Sequence, residues 1–160
     1  MKYQEHTLPP VYDSRSRVLM LGSFPSPKSR STGFYYGHPQ NRFWKALSAA
    51  LDEPLPLTNE EKRALVLRRH IALWDVVASC EIAGASDARI RSARPNDFSL
   101  ILSASPVRAV FTVGKTAERL YERFTGRTAL CLPSPSPANC ALPFSSLVEA
   151  FRAVLPFLND

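Results

Sequence analysis

Four short runs of apolar residues, separated by amphipathic stretches, constrain this chain more than any other feature of its sequence. They cover residues 17–22, 71–77, 107–113 and 128–132. Each is too short for a self-sufficient helix, and such runs read as parallel strands buried on both faces. Between them the periodicity changes to that of a helix. Phe43, Trp44, Leu47 and Leu51 share one helical face from about residue 41. Thr58 and Glu61 predict a capping box for a helix to about residue 69, and residues 115–124 read as another helix. Pro95, Asn96 and Asp97 open a short helix to about residue 103. Ser146 and Glu149 predict a second capping box for the last helix. Its apolar face is Leu147, Phe151, Val154, Leu155 and Leu158, and Pro156 kinks or ends it. Strands alternating with helices predict an α/β fold, a three-layer α/β/α sandwich around a mostly parallel sheet of about four strands. The length of 160 residues, without repeat or linker, fits a single domain over residues 1–160.

In open sheets of this kind, ligands bind beyond the carboxyl ends of the strands. The two most unusual segments both lie there: residues 23–40 after the first strand, rich in Ser, Gly, Pro and Tyr, and residues 133–139 after the fourth. A connection of roughly eighteen residues is long for a compact domain and marks a functional loop. Several of the 14 prolines cluster in these loops and read as rigid turns. Asp75 and Gly114 stand near the ends of the other two strands. The surroundings of Gly114 and Lys115 do not match a P-loop, so Gly114 reads as a tight strand-to-helix turn.

A net charge of +6 and a pI of about 9.5 favour an anionic partner, with nucleic acid first, unless the charge serves solubility alone. Arg89, Arg91 and Arg94 form a basic stretch that reads as a solvated loop rather than part of a site. Cys80, Cys131 and Cys140 are odd in number and far apart, which argues against a disulfide framework, a zinc site or an iron–sulfur cluster. No metal and no cofactor are expected. The first ten residues carry no secretory signal, and no stretch approaches the ~18 apolar residues of a membrane span. The expectation is a soluble, cytoplasmic monomer with no membrane partner.

The stretch Leu21, Gly22, Ser23, Phe24, Pro25, Ser26 resembles the first active-site motif of uracil-DNA glycosylases. The stretch Leu132, Pro133, Ser134, Pro135, Ser136, Pro137 resembles their second motif, a serine–proline loop that touches DNA. Between them, residues 31–45, with Tyr35, Tyr36, His38, Pro39, Asn41, Phe43 and Trp44, resemble the matching stretch of the mismatch-specific uracil/thymine enzymes. The combination is most similar to the hypoxanthine-DNA glycosylase branch, and order and spacing agree from about residue 17 to the last helix. One position departs from the uracil enzymes. Their first motif carries a water-positioning Asp or Asn where this chain has Phe24, a substitution shared with the hypoxanthine branch.

The resemblance implies a monofunctional glycosylase that hydrolyses the C1′–N bond of a deaminated base, hypoxanthine first and uracil second, flipped out of DNA. It implies catalytic roles for Asn41, Asp75 and His38, and base contacts from Ser23, Phe24 and Tyr36. DNA contacts fall to Ser26, Ser134 and Ser136, and to Pro137, Ala138 and Asn139 as gap fillers. Each role has a plainer competitor. Asn41 is a good helix cap. Asp75 either accepts a purine N1–H, activates water, or serves in a cap or an ion pair. His38 either meets a phosphate or the leaving base, or braces the loop beside Pro39. No lysine stands in a Schiff-base motif, which favours one-step hydrolysis to an abasic site. The competing readings are a uracil or G·U/G·T mismatch enzyme, a catalytically silent nucleic-acid binder, and a small-molecule α/β domain. The leading one requires the segments around Phe24 to Asn41 and Ser134 to Asn139 to converge on one cleft.

Overall fold

The computed structural model describes residues 2–82 and 90–159. Four parallel strands form the central sheet: β2 (Val18–Gly22), β3 (Ile71–Asp75), β6 (Ala109–Val113) and β7 (Leu130–Leu132), in the order β3-β2-β6-β7. Every residue of β2 and β3 is buried. This explains their unbroken apolar character, since helices cover such a sheet on both faces. The α/β/α sandwich with a mostly parallel four-stranded sheet is therefore the observed fold. Helix α3 (Asn59–Arg68) packs on β3, and α5 (Lys115–Thr125) packs on β6 and β7. Helix α2 (Phe43–Ala50) packs against α6 (Phe144–Phe151).

The register sets the site. Gly22 is paired with Asp75, and Val113 with Leu132, so the carboxyl ends of all four strands finish in one row. The chain leaves β2 toward β3 on one side, and β6 is added on the other. The crevice between β2 and β6 is thus the topological switch point where such sheets bind ligands.

A second sheet was not legible in the sequence. Strand β3 runs through Val76 into β4 (Val77–Ile82), which pairs antiparallel with β1 (Lys2–Glu5) and β5 (Ile90–Pro95). The expected single strand over residues 71–77 is therefore divided between two sheets. β1 and β5 are mostly polar and exposed, and β5 carries register shifts and a positive φ of 53° at Ser92. Such bulged edge strands lack clean alternation. Of the basic stretch, Arg91 and Arg94 lie on β5, and Arg89 lies outside the described residues.

The long loop after β2 also contains a helix, α1 (Pro27–Thr32). Ser26 caps it, its Oγ accepting from Ser29 N at 3.1 Å, and Pro27 occupies the first turn. Thr58 Oγ1 accepts from Glu61 N at 3.0 Å as expected, but the Glu61 carboxylate reaches Leu57 N at 2.9 Å. The short helix α4 (Ser99–Leu102) starts later than the proline suggested, with Asp97 Oδ1 accepting from Ser99 N at 3.0 Å. The second capping box is a correction. Helix α6 begins at Phe144 behind Pro143, so Ser146 lies inside the helix and Glu149 pairs instead with Arg152 at 2.8 Å. Proline at the cap had already set the first turn before Ser146 was reached. The chain continues as a 3-10 turn over Arg152–Phe157 that accommodates Pro156.

Candidate active site

The segments after β2 and β7 do converge. A cavity of about 630 Å³ opens at the switch point. Gly22, Asp75 and Val113 line its base, Ser23 to Pro27 and Tyr35, Tyr36 and Asn41 its first wall, and Ser134, Pro135, Ser136, Ala138 and Asn139 its second. Arg42 ties the walls together. Its N–H donates to Pro135 O at 3.0 Å, Nη1 to Leu142 O at 2.7 Å and Nη2 to Asn139 O at 3.1 Å.

Asp75 is buried at the carboxyl end of β3, and its Oδ2 accepts from His6 Nε2 at 2.8 Å. A carboxylate only accepts, so Nε2 carries the proton in this bond. Both side chains are 4% exposed. The other oxygen, Oδ1, lies beside Gly22, where an added Cβ would sit 2.4 Å from it and 3.0 Å from Tyr36 Oη. Only glycine admits this close approach of β3's carboxylate to β2.

Tyr36 takes a positive φ of 54°, a strained conformation for an aromatic residue of the kind that gathers at functional sites. One face of its ring stacks on buried Phe43, with centroids 3.8 Å apart and 13° between planes. Trp44 Nε1 donates to Tyr35 O at 2.9 Å, fixing the same turn. The Phe24 ring is bracketed by His6, edge-on at 6.0 Å, and by the Arg30 guanidinium at 5.6 Å. Tyr35 is buried, and its hydroxyl donates to Pro9 O at 3.1 Å. Burial, reinforced by the charges of Asp75 and Tyr36, pushes its phenol far above the usual tyrosine range.

That upward shift has a sign. The folded protein keeps the Tyr35 proton while an unfolded chain releases it above about pH 10. The stabilisation is therefore complete below pH 10 and declines as the pH rises beyond it. Tyr35→Phe is expected to flatten this alkaline decline while costing about 1 kcal/mol at neutral pH through the lost hydrogen bond. Urea melts of both proteins between pH 8 and 11 check it, and parallel alkaline declines would refute it.

Asn41 lines the cavity and also caps the next turn. Its Oδ1 accepts from Phe43 N at 2.9 Å, which leaves the Nδ2 amide as the other end. Arg42 stands at the N-cap position of α2, while the Asn41 side chain one residue earlier both holds the first helical N–H and lines the cavity. His38 does not line the cavity. Its Nδ1 accepts from Gln40 N at 3.1 Å and its carbonyl from Asn41 N at 2.9 Å, so it shapes the loop that presents Asn41. Ser134 Oγ accepts from Ser136 N at 3.2 Å, and Ser136 Oγ from Ala138 N at 3.2 Å. Each hydroxyl retains its own hydrogen to donate. Asn139 Nδ2 donates to Ser134 O at 2.9 Å, so this residue closes the loop, and Pro137 starts its 3-10 turn without lining the cavity. Ser26 lines the cavity while capping α1.

Among the residues that build the site, Arg42, Lys115 and His6 escaped the sequence reading. Arg42 falls within the tyrosine-rich stretch 31–45, and Lys115, beside a glycine that makes no P-loop, lines the cavity at the start of α5. His6 had no signal beyond the alternation of Gln4 and His6 with Tyr3 and Glu5.

Comparison with known proteins gives a consistent answer. Residues 9–156 match the family model described as the uracil DNA glycosylase superfamily. The chain is 36% identical over 136 residues to a protein of Methanosarcina barkeri named hypoxanthine DNA glycosylase, covering 82% of this chain and 85% of that one. It matches a protein of the same name from Methanosarcina acetivorans at the same identity and coverage. A solution NMR structure of a candidate uracil DNA glycosylase from Methanosarcina acetivorans superposes with a TM-score of 0.78 at 30% identity, over 96% of this chain and 99% of that one.

Proposed function

The chain belongs to the uracil DNA glycosylase superfamily and is a DNA glycosylase, a hydrolase of N-glycosyl bonds, and from that premise we propose that it removes hypoxanthine from deoxyinosine by one-step hydrolysis. The observation that carries this reading is the acceptor-only carboxylate of Asp75 in the cavity lining, with the apolar ring of Phe24 in the same lining. Deamination of adenine turns the N1 acceptor into an N1–H donor. Asp75 Oδ1 accepts that hydrogen, whereas the N1 lone pair of adenine faces a like partial charge. Two relatives named hypoxanthine DNA glycosylase support the same choice.

The flipped base lies against the face of Tyr36 that Phe43 leaves open, with Phe24 along its edge. As the C1′–N9 bond breaks, its electron pair passes to the base and the sugar gains oxocarbenium character. Asn41 Nδ2 donates to the departing base and stabilises this charge, an electrostatic role that needs no ionisation of the amide. Water then bonds to C1′, and the proton it loses ends on the base anion through solvent, leaving an abasic site and neutral hypoxanthine. The hydroxyls of Ser134 and Ser136, the loop amides and Lys115 hold the flanking phosphates.

Duplexes carrying a single deoxyinosine, a uracil or a G·T mismatch, followed by cleavage of abasic sites, test the reading. Release of hypoxanthine is expected to be fastest. Much faster release of uracil, or no release from any duplex, would overturn it.

A further inference from the structure

The cavity has a support that lies ahead of residues 9–156, the stretch matched by the superfamily. Strand β1 alternates. Tyr3 and Glu5 are exposed and bond to each other, while the side chains of Gln4 and His6 turn to the cavity wall. The ladder to β4 continues one residue past the strand, with His6 N donating to Ala78 O at 2.7 Å, so the position of His6 is fixed by backbone pairing. Gln4 accepts from Arg30, whose guanidinium covers one side of Phe24, and the His6 ring meets Phe24 from another. His6 Nε2 holds Asp75 Oδ2. This strand and the residue after it therefore brace two of the residues assigned to the base, apolar Phe24 and charged Asp75.

We propose that His6 is a positioning residue for base excision: by engaging Asp75 Oδ2 it leaves Oδ1 as the acceptor presented to the N–H that marks a deaminated base. The inference rests on the function proposed above and deepens it. A free carboxylate rotates about its Cβ–Cγ bond and exchanges its two oxygens, whereas one held at Oδ2 presents a fixed Oδ1. Burial makes the hold strong, because both side chains are only 4% exposed and little water competes for the bonded atoms.

His6→Phe keeps a ring in the same packing and removes the N–H. His6→Gln restores a donor near the place of Nε2. Single-turnover excision at saturating enzyme is measured for wild type, His6→Phe, His6→Gln, Asp75→Ala and the His6→Phe/Asp75→Ala double variant, on whichever of the three lesion duplexes the wild type cleaves. Melting temperatures establish that each protein is folded. His6→Phe is expected to lose about tenfold to a hundredfold, the usual weight of a charge-assisted bond. His6→Gln recovers most of that loss, and His6→Phe costs nothing further once Asp75 is Ala, as groups acting through one another are not additive. A folded His6→Phe as fast as wild type, a folded His6→Gln as slow as His6→Phe, or an undiminished His6→Phe loss in the Asp75→Ala background would each overturn the proposal. Should His6→Phe not fold, the rate of His6→Gln decides alone. A wild type inactive on deoxyinosine but active on uracil refutes the choice of base without touching His6, since uracil N3–H presents the same donor.

Discussion

Asn41→Asp is expected to fold like the wild type and to lose about two to three orders of magnitude in the single-turnover rate of base release, the usual cost of removing one preorganised donor. The two ends of the Asn41 amide have separate duties. Oδ1 accepts from Phe43 N at 2.9 Å, and an aspartate oxygen makes that bond equally well. The Nδ2 end alone is available to donate to the departing base, and a carboxylate in its place offers negative charge where negative charge is developing. The stability change should stay within about 0.5 kcal/mol. Asn41→Ala loses both ends, costs about 1 kcal/mol of stability and is slow as well. Melting curves beside single-turnover assays separate the duties. An Asn41→Asp protein within threefold of wild-type rate would move the leaving-group role to another residue.

Gly22→Ala is expected to be nearly as damaging by a different route. The new methyl would sit 2.4 Å from Asp75 Oδ1, closer than real Cβ atoms come, and 3.0 Å from Tyr36 Oη, near enough that the hydroxyl must shift as well. The backbone cannot yield easily, because Gly22 pairs with Asp75 in the sheet and its carbonyl accepts from Val76 N at 2.8 Å. The side chains must move instead, and Asp75 is held by His6. Overpacking of this kind costs about 1–3 kcal/mol. If Asp75 reads the base as proposed, displacing its carboxylate by about 1 Å is expected to lower the rate by roughly a hundredfold. The two effects are read separately by denaturant unfolding and by single-turnover excision at a temperature where the variant remains folded. A variant that loses stability alone, with the rate intact, would remove Asp75 and Tyr36 from the reacting geometry.

The parallel sheet was legible because its physics is local. A strand buried on both faces must be almost entirely apolar, and residues 18–22 and 71–74 are, although the expected run over 71–77 crosses into the second sheet. The strand-end rule then pointed to Asp75 and to the loops after β2 and β7, and these residues do share one cavity. Resemblance supplied the proposed roles that spacing could not, such as that of Asn41, whose sequence signature is only that of a cap. The antiparallel sheet stayed hidden because Lys2–Glu5 and Ile90–Pro95 owe their strand form to pairing with β4 rather than to their own residues. His6 stayed hidden with it: its partner is 69 positions away, and no local pattern announces a contact of that range. His38 shows the converse. A histidine in a conspicuous motif drew attention, yet its ring nitrogen serves the turn before Asn41.

The guanidinium bracket of Arg42 makes the two halves of the cleft an inseparable module. One side chain and its own peptide group grasp Pro135, Asn139 and Leu142, while the neighbouring residue on the same turn is Asn41. Anyone recombining this enzyme with its relatives to alter which lesions it accepts will find that residues 134–142 do not travel alone: a transplanted segment arrives untethered unless the arginine of its host already fits it, and the two must be exchanged as a set.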